Sequence, residues 1–267
     1  MQVALDHRRL SRALAGCSLG QQIVHLESTG STNGDAVALG EQGYPHGVVV
    51  SADEQTAGRG RRGAVWESPA CQNLYLSVLL RPKLAHDLWP RLTTVIALAL
   101  CRAVEDQCGT QIKASIKWPN DIYLGDRKLA GILCETGRSS DGHFAVAGAG
   151  INVFSETSDF PPELRGIATS LTMAASEADF SRESVAAAYI QELARLLPLV
   201  ESDYQREVLR EVSDRSYLLG KKVMWVTEAG TFEGFAMGLD PEGRLLVRHA
   251  DGQPDALSSV ELIRPVV

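Results

Sequence analysis

Short apolar runs, broken by polar and glycine-rich stretches, set the architecture that this chain predicts. Leu5, Leu10 and Leu14, followed by Gly16, space out a short amphipathic helix. Ile23-Val24-His25-Leu26, Gly47-Val48-Val49-Val50-Ser51 and Asn73 to Leu80 read as strands, with a helix from Asp35 to Gln42 closing at Gly43. Trp89 to Cys108 is apolar almost all round over Thr93–Leu100, the mark of a helix buried against a sheet. Ile116–Leu124 and Lys128–Glu135 read as two strands around Gly125-Asp126-Arg127, with Pro119 disturbing the first at an edge or bulge. Phe144–Val153 is a further strand, and from Ser181 the period turns helical until Pro198, with another helix over Tyr204–Val212. After Gly220 the texture changes to short strands around 222–226, 231–236, 244–248 and 260–263. The pattern predicts an α+β fold: a central mixed β-sheet backed by helices over residues 1–219, then a small SH3-like β-barrel over 220–267.

Composition narrows the function classes. The 267 residues carry a net charge of −7, so general attraction to nucleic acid or anionic membrane is not expected. No run approaches a membrane span, and the charged first twenty residues do not form a signal peptide. Cys17, Cys71, Cys101, Cys108 and Cys134 are odd in number and contain no C-x-x-C pair, which points to reduced thiols in the cytoplasm and to no zinc site.

Within this acidic chain, Gly58-Arg59-Gly60-Arg61-Arg62-Gly63 is a local concentration of cations on a permissive backbone. Its reading is a loop that holds a small anion, with a solvated basic turn as the alternative. The spacing G-x-G-x-x-G also matches a dinucleotide fingerprint, but that site needs a helix opening at the glycines, and the run to Leu80 is a strand. A kinase glycine loop is excluded too, because no H-R-D or D-F-G follows.

Three further stretches carry chemistry. Ser31-Thr32-Asn33 is a helix cap or a polar pocket wall; Lys117 and Lys128 flank the 116–135 hairpin; Gly148-Ala149-Gly150-Ile151-Asn152 permits close approach to a strand end. Together with Gln55 to Gly63, Lys117-Trp118-Pro119-Asn120-Asp121 and Arg127-Lys128-Leu129-Ala130-Gly131, these stretches resemble the biotin–protein ligases. The resemblance runs from about Ser31 into the C-terminal strands.

The resemblance implies an enzyme that converts biotin and Mg-ATP to biotinyl-5′-AMP and then biotinylates a lysine of the biotin carboxyl carrier protein of acetyl-CoA carboxylase. It assigns biotin contacts to Ser31, Thr32, Asn33, Gln55, Arg59, Gly60, Arg61, Lys128 and Gly131. ATP and adenylate contacts fall to Arg61, Arg62, Trp66, Asn120 and Asn152, and catalysis to Arg61, Lys117 and Lys128. Mg²⁺ comes with ATP, with no metal cage in the protein. Asp121 is read as holding the hairpin, with proton acceptance from the acceptor lysine as its other reading. Ala64 stands where relatives often carry another basic residue, and Cys71-Gln72 where small residues are common. About 30 residues precede Ser31, where a winged helix-turn-helix needs on the order of 60, so a ligase that does not bind DNA is expected. A homodimer is left open. The rival readings are a lipoate ligase or octanoyltransferase, which would use Cys71 or Cys134 as a thioester site, and a non-catalytic sensor of biotin or nucleotide.

Overall fold

The computed structural model describes residues 3–109 and 111–266; the outermost bounds assigned above, 1 and 267, lie outside the described residues. Seven strands form a mixed sheet: β1 (Ile23–Thr29), β2 (Val49–Gln55), β3 (Leu74–Leu80), β4 (Ala114–Lys117), β5 (Asp121–Leu124), β6 (Arg127–Ser139) and β7 (Gly142–Ile151). Their spatial order is β1-β2-β3-β7-β6-β5-β4. Among the strand pairs of the described residues only β1 and β2 run parallel, and the helix α2 (Thr32–Glu41) supplies the crossover that a parallel pair requires.

Helices α3 (Arg91–Cys108) and α5 (Arg182–Leu196) cover one face, with the short α1 (His7–Ala13) and α4 (Leu171–Ala174) at its margins. The main core lies here, where Leu74, Leu76, Val78 and Leu80 of β3 meet Val95–Leu100 of α3 and Tyr189, Ile190 and Leu193 of α5. The mostly apolar run is buried over Thr94–Leu100, as its pattern predicts. The opposite face carries α2 over a smaller cluster of Val48, Val50, Leu79, Phe144 and Val146.

Three local differences from the sequence reading have physical causes. Helix α2 begins at Thr32 rather than near Asp35, because Ser31 takes the extended N-cap conformation. The run 116–124 is two strands, since the chain reverses at Trp118-Pro119-Asn120 and pairs Lys117 with Asp121. The C-terminal part contains β8 (Lys222–Thr227), β9 (Gly230–Leu239), β10 (Leu245–His249), β11 (Pro254–Leu257) and β12 (Leu262–Pro265), an antiparallel sheet ordered β11-β10-β9-β8-β12. Strand β11 was invisible in the pattern because it opens on a proline at the sheet edge and is largely exposed.

A buried ion pair ties the N-terminal segment to the sheet. Arg182 Nη1 lies 2.9 Å from Asp53 Oδ1, which also accepts from the Leu5 amide at 2.9 Å; Asp53 Oδ2 is 3.2 Å from His25 Nε2. Among the described residues no helix is long and apolar enough to cross a membrane.

Candidate active site

Strand alternation decides where the site lies. On β7, Ala145, Ala147, Ala149 and Ile151 face α3 and α5, while Phe144 and Val146 face α2. Further along that second face the side chains vanish at Gly148 and Gly150. On β3 the same face carries Ser77 beyond Leu79. The floor is thereby lowered and made polar, and a cavity of about 210 Å³ opens between it, the start of α2, the arginine-glycine loop, the 117–121 turn and residues 260–263.

The two glycines are spaces already in use. A Cβ on Gly148 would lie 1.9 Å from Asn33 Oδ1, and one on Gly150 would lie 2.4 Å from Trp66 Nε1. Trp66 also lies over Gly131, whose Cβ would sit 3.0 Å from the ring.

The floor is a closed hydrogen-bond network. The Thr32 amide donates to Gln55 Oε1 at 2.9 Å, and Gln55 Nε2 donates to Ser68 Oγ at 2.9 Å. Ser77 Oγ, fully buried, lies 2.9 Å from Thr32 Oγ1 and donates to Asn33 Oδ1 at 2.6 Å. Asn33 Nδ2 donates to Leu133 O at 3.1 Å and to Glu135 Oε2 at 2.8 Å, which uses both of its protons. Ser31, by contrast, makes no side-chain cap bond and lines the cavity with its hydroxyl uncommitted to the helix. Pocket wall is therefore the better description of this triplet than cap.

The loop between β2 and β3 folds back on itself. Gly60 N donates to Ala64 O at 2.7 Å and Trp66 N to Gly58 O at 3.0 Å, around a single 3₁₀ turn at Arg61–Gly63. No helix opens there, so the dinucleotide reading fails in the structure as it does in the sequence. Arg59 pairs with Glu135 at 2.9 Å. Arg61 donates to Asn120 Oδ1 at 3.3 Å and to Ser259 Oγ at 3.2 Å, and Arg62 reaches the same hydroxyl at 3.1 Å.

Opposite the loop stand the two lysines. Lys128 Nζ is 2.7 Å from Asp121 Oδ1 and lies 5.4 Å from the Trp66 ring centroid. Lys117 has no carboxylate in contact; its ammonium donates to Tyr123 Oη at 3.3 Å, and burial lowers its pKa from the ordinary lysine value. Burial also lowers the pKa of Arg61, with Arg62 beside it acting in the same direction. Asn120 donates to Ile132 O at 2.7 Å, which fixes its side chain beneath Arg61. Between these residues, Trp118 is buried in the core of the C-terminal sheet and donates from Nε1 to Gly243 O at 3.1 Å.

Thirteen of the candidate positions line the one cavity: Ser31, Thr32, Asn33, Gln55, Arg59, Gly60, Arg61, Arg62, Trp66, Lys117, Asn120, Lys128 and Gly131. Asn152 does not. Its side chain donates to Thr169 O at 3.0 Å, and it borders an adjoining cavity of about 150 Å³ that shares Trp66 and Lys128 with the first. Trp66 Nε1 is buried at this junction without a hydrogen-bond partner.

Ser77, Glu135 and Ser259 were not singled out in the sequence. Ser77 had a signal, as the one serine in a strand otherwise of Leu, Val and Tyr; Glu135 and Ser259 are joined to the loop only by the fold. Burial pushes the Cys134 thiol up to about 12, far from a nucleophilic thiolate. Among the described residues, no group of three or more His, Cys, Asp or Glu side chains is placed to hold a metal ion.

Residues 26–152 match the biotin/lipoate A/B protein ligase family. The bifunctional ligase/repressor BirA of Bacillus subtilis is 36% identical over 239 residues, covering 88% of this chain and 71% of that protein. The biotin–[acetyl-CoA-carboxylase] ligase of Mycobacterium tuberculosis is 33% identical over 253 residues, covering 90% and 89%. The structure of the Aquifex aeolicus biotin protein ligase in complex with biotin and ATP is similar at a TM-score of 0.79 and 30% identity, over 92% of this chain and 100% of that one. Sequence, fold and cavity agree, and the chain belongs to the biotin/lipoate A/B protein ligase family as a biotin–protein ligase.

Proposed function

We propose that this enzyme activates biotin as biotinyl-5′-AMP and transfers the biotinyl group to a lysine of the biotin carboxyl carrier protein of acetyl-CoA carboxylase. Ser31, Thr32, Asn33 and Gln55, with Arg59, Gly60 and Gly131, form the biotin side. Arg62, Trp66, Asn120 and Asn152 form the nucleotide side, with Arg61 between. Residues 1–219 act as the catalytic domain and 220–267 as a C-terminal module, and the protein works in the cytoplasm.

The observation that carries this reading is the junction of the two cavities. Trp66 and Lys128 line both, so a carboxylate held in one meets a phosphate held in the other beside the lysine. In the first step a biotin carboxylate oxygen attacks the α-phosphorus, and the bond to pyrophosphate breaks. Two anions must approach, and Arg61, Lys117 and Lys128 offset their repulsion from fixed positions. Mg²⁺ would supply further positive charge when bound with ATP; the carboxylates among these cations, Asp121, Glu135 and Glu261, are already paired with Lys128, Arg59 and Arg62. In the second step the carrier amine attacks the acyl carbon, the C–O bond to phosphate breaks, AMP leaves and the amine sheds a proton. A closed loop over the anhydride keeps water out in between. The Asp121–Lys128 pair favours a positioning role for that carboxylate. The Cys134 thiol, held protonated by desolvation, gives no support to thioester transfer.

The test is incubation with biotin, Mg-ATP and a carrier domain, reading carrier mass and pyrophosphate. The expected outcome is one added biotin, abolished by carrier Lys→Arg, and a loss of pyrophosphate release of about 100-fold or more in Lys128→Ala. A protein that binds biotin yet releases no biotin-dependent pyrophosphate would refute the ligase reading and restore the sensor.

A further inference from the structure

The hydrogen bonds of the cavity floor do not end at the cavity. On one side they run from Ser77 through Thr32 and Gln55 to Ser68, whose hydroxyl donates to Trp66 O at 3.0 Å. On the other they run from Ser77 through Asn33 to Glu135 and Arg59. Trp66 and Arg59 are the two stems of the arginine-glycine loop, bridged to each other through the Arg59–Val65 pairing. The floor thus grips both stems, and one carboxylate oxygen, Glu135 Oε2, makes the second grip.

That oxygen accepts from Asn33 Nδ2 at 2.8 Å and from Arg59 Nη2 at 2.9 Å. The two donors differ in kind. Asn33 is buried and held on three sides, whereas the Arg59 side chain is 46% exposed and belongs to a loop with few other ties to the sheet. A charged acceptor anchored by a buried amide can fix a mobile guanidinium, which a neutral one does less well. Glu135 is the counter-charge in contact with Arg59.

We propose that Glu135 is a positioning residue that couples the biotin side of the floor to the arginine-glycine loop, holding Arg59 and with it the loop over the cavity. The inference rests on the functional reading above, and it assigns no chemistry to Glu135 itself. A ligand that orders Asn33 steadies Glu135 and so favours the closed loop. Loss of the carboxylate frees the loop and removes one of the acceptors of Asn33 Nδ2, while Ser77 Oγ and Leu133 O still hold the Asn33 amide.

The test uses the full chain and two readouts. Trypsin can cut after Arg59, Arg61 and Arg62, and the rate in ligand-free protein reports loop opening without reference to catalysis. Glu135→Ala should raise cleavage within the loop about fivefold, with Glu135→Gln intermediate, because Gln keeps an acceptor but loses the charge. In biotin-dependent pyrophosphate release, Glu135→Ala should raise KM for biotin about fivefold or more, with a smaller fall in kcat. Arg59→Ala and the double variant should cut no faster than Glu135→Ala alone by more than about twofold, since the two residues act through one contact. Loop cleavage and KM both unchanged in Glu135→Ala, with unaltered thermal unfolding, would overturn the proposal. If the wild-type protein releases no biotin-dependent pyrophosphate, the functional reading fails, while the cleavage rates still decide whether Glu135 holds the loop.

Discussion

Gly148→Ala adds one methyl group to a central strand, and the structure says where the damage falls. The backbone at this position is not left-handed, so alanine meets no conformational strain; the whole effect comes from space. The new Cβ would stand 1.9 Å from Asn33 Oδ1, 2.7 Å from its Cγ and 3.0 Å from Nδ2. Asn33 cannot swing aside freely, because Ser77, Leu133 O and Glu135 hold both ends of its amide. Overpacking of this kind costs about 1–3 kcal/mol, and each buried polar group left unpaired about 1–3 kcal/mol. For a chain of this size the expected fall in Tm is about 5–10 °C, and mispairing at Asn33, proposed above as a biotin contact, should raise the biotin Kd about 10- to 100-fold. Titration calorimetry with biotin and differential scanning calorimetry measure the two terms separately. Gly150→Ala is the internal control, since its methyl would strike Trp66 Nε1 at 2.4 Å and should weaken ATP rather than biotin. A Gly148→Ala protein whose biotin Kd and Tm both match wild type, within about twofold and about 1 °C, would refute the placement of Asn33 against this strand.

Lys117 should set the alkaline limit of the first half-reaction: its cationic form is present below its lowered pKa and lost as pH rises through it, so pyrophosphate release falls before pH 10.5, and Lys117→Arg moves that limb upward. An unchanged limb in the arginine variant would remove Lys117 from the charge-offsetting set. Arg182→Met leaves the Asp53 carboxylate buried without its guanidinium and should cost about 3–5 kcal/mol in denaturant unfolding; a loss under about 1 kcal/mol would show that His25 and the Leu5 amide suffice. Cys134→Ala should leave turnover within about twofold of wild type, and inactivation with folding intact would revive thioester chemistry.

The fold was legible where hydrophobic period speaks directly. The buried helix over Thr93–Leu100, the strands at 47–51 and 73–80 and the strand-rich C-terminus all follow from it. The turn at Trp118-Pro119-Asn120 was misjudged because the apolar residues on either side of Pro119 continue one another, and only pairing of Lys117 with Asp121 reveals the reversal. Most of the cavity was legible through motifs, because Gly-rich and Lys-Trp-Pro-Asn-Asp stretches keep their chemistry in contiguous residues. Glu135 and Ser259 were not, since their importance lies in contacts to residues 76 and nearly 200 positions away. Trp118 was visible in its motif, but its burial with Leu218, Trp225 and Val260 in the C-terminal core was not.

The charges lining the cavity favour an anion. Five cations converge on one cavity in a chain whose net charge is −7. Three have a carboxylate partner, Arg59 in Glu135, Lys128 in Asp121 and, at 4.0 Å, Arg62 in Glu261. The other two rest on neutral acceptors: Arg61 on the Asn120 amide and the Ser259 hydroxyl, Lys117 on the Tyr123 phenol. These are also the two whose pKa values burial pushes down, which means the protein has desolvated them without supplying a counter-charge in contact. A carboxylate or phosphate that enters recovers that missing interaction, so part of the cost of holding Arg61 and Lys117 dry is returned only when an anionic substrate arrives. A structural salt-bridge cluster would be neutral at rest. This one leaves two of its five cations, Arg61 and Lys117, uncompensated in the cavity wall.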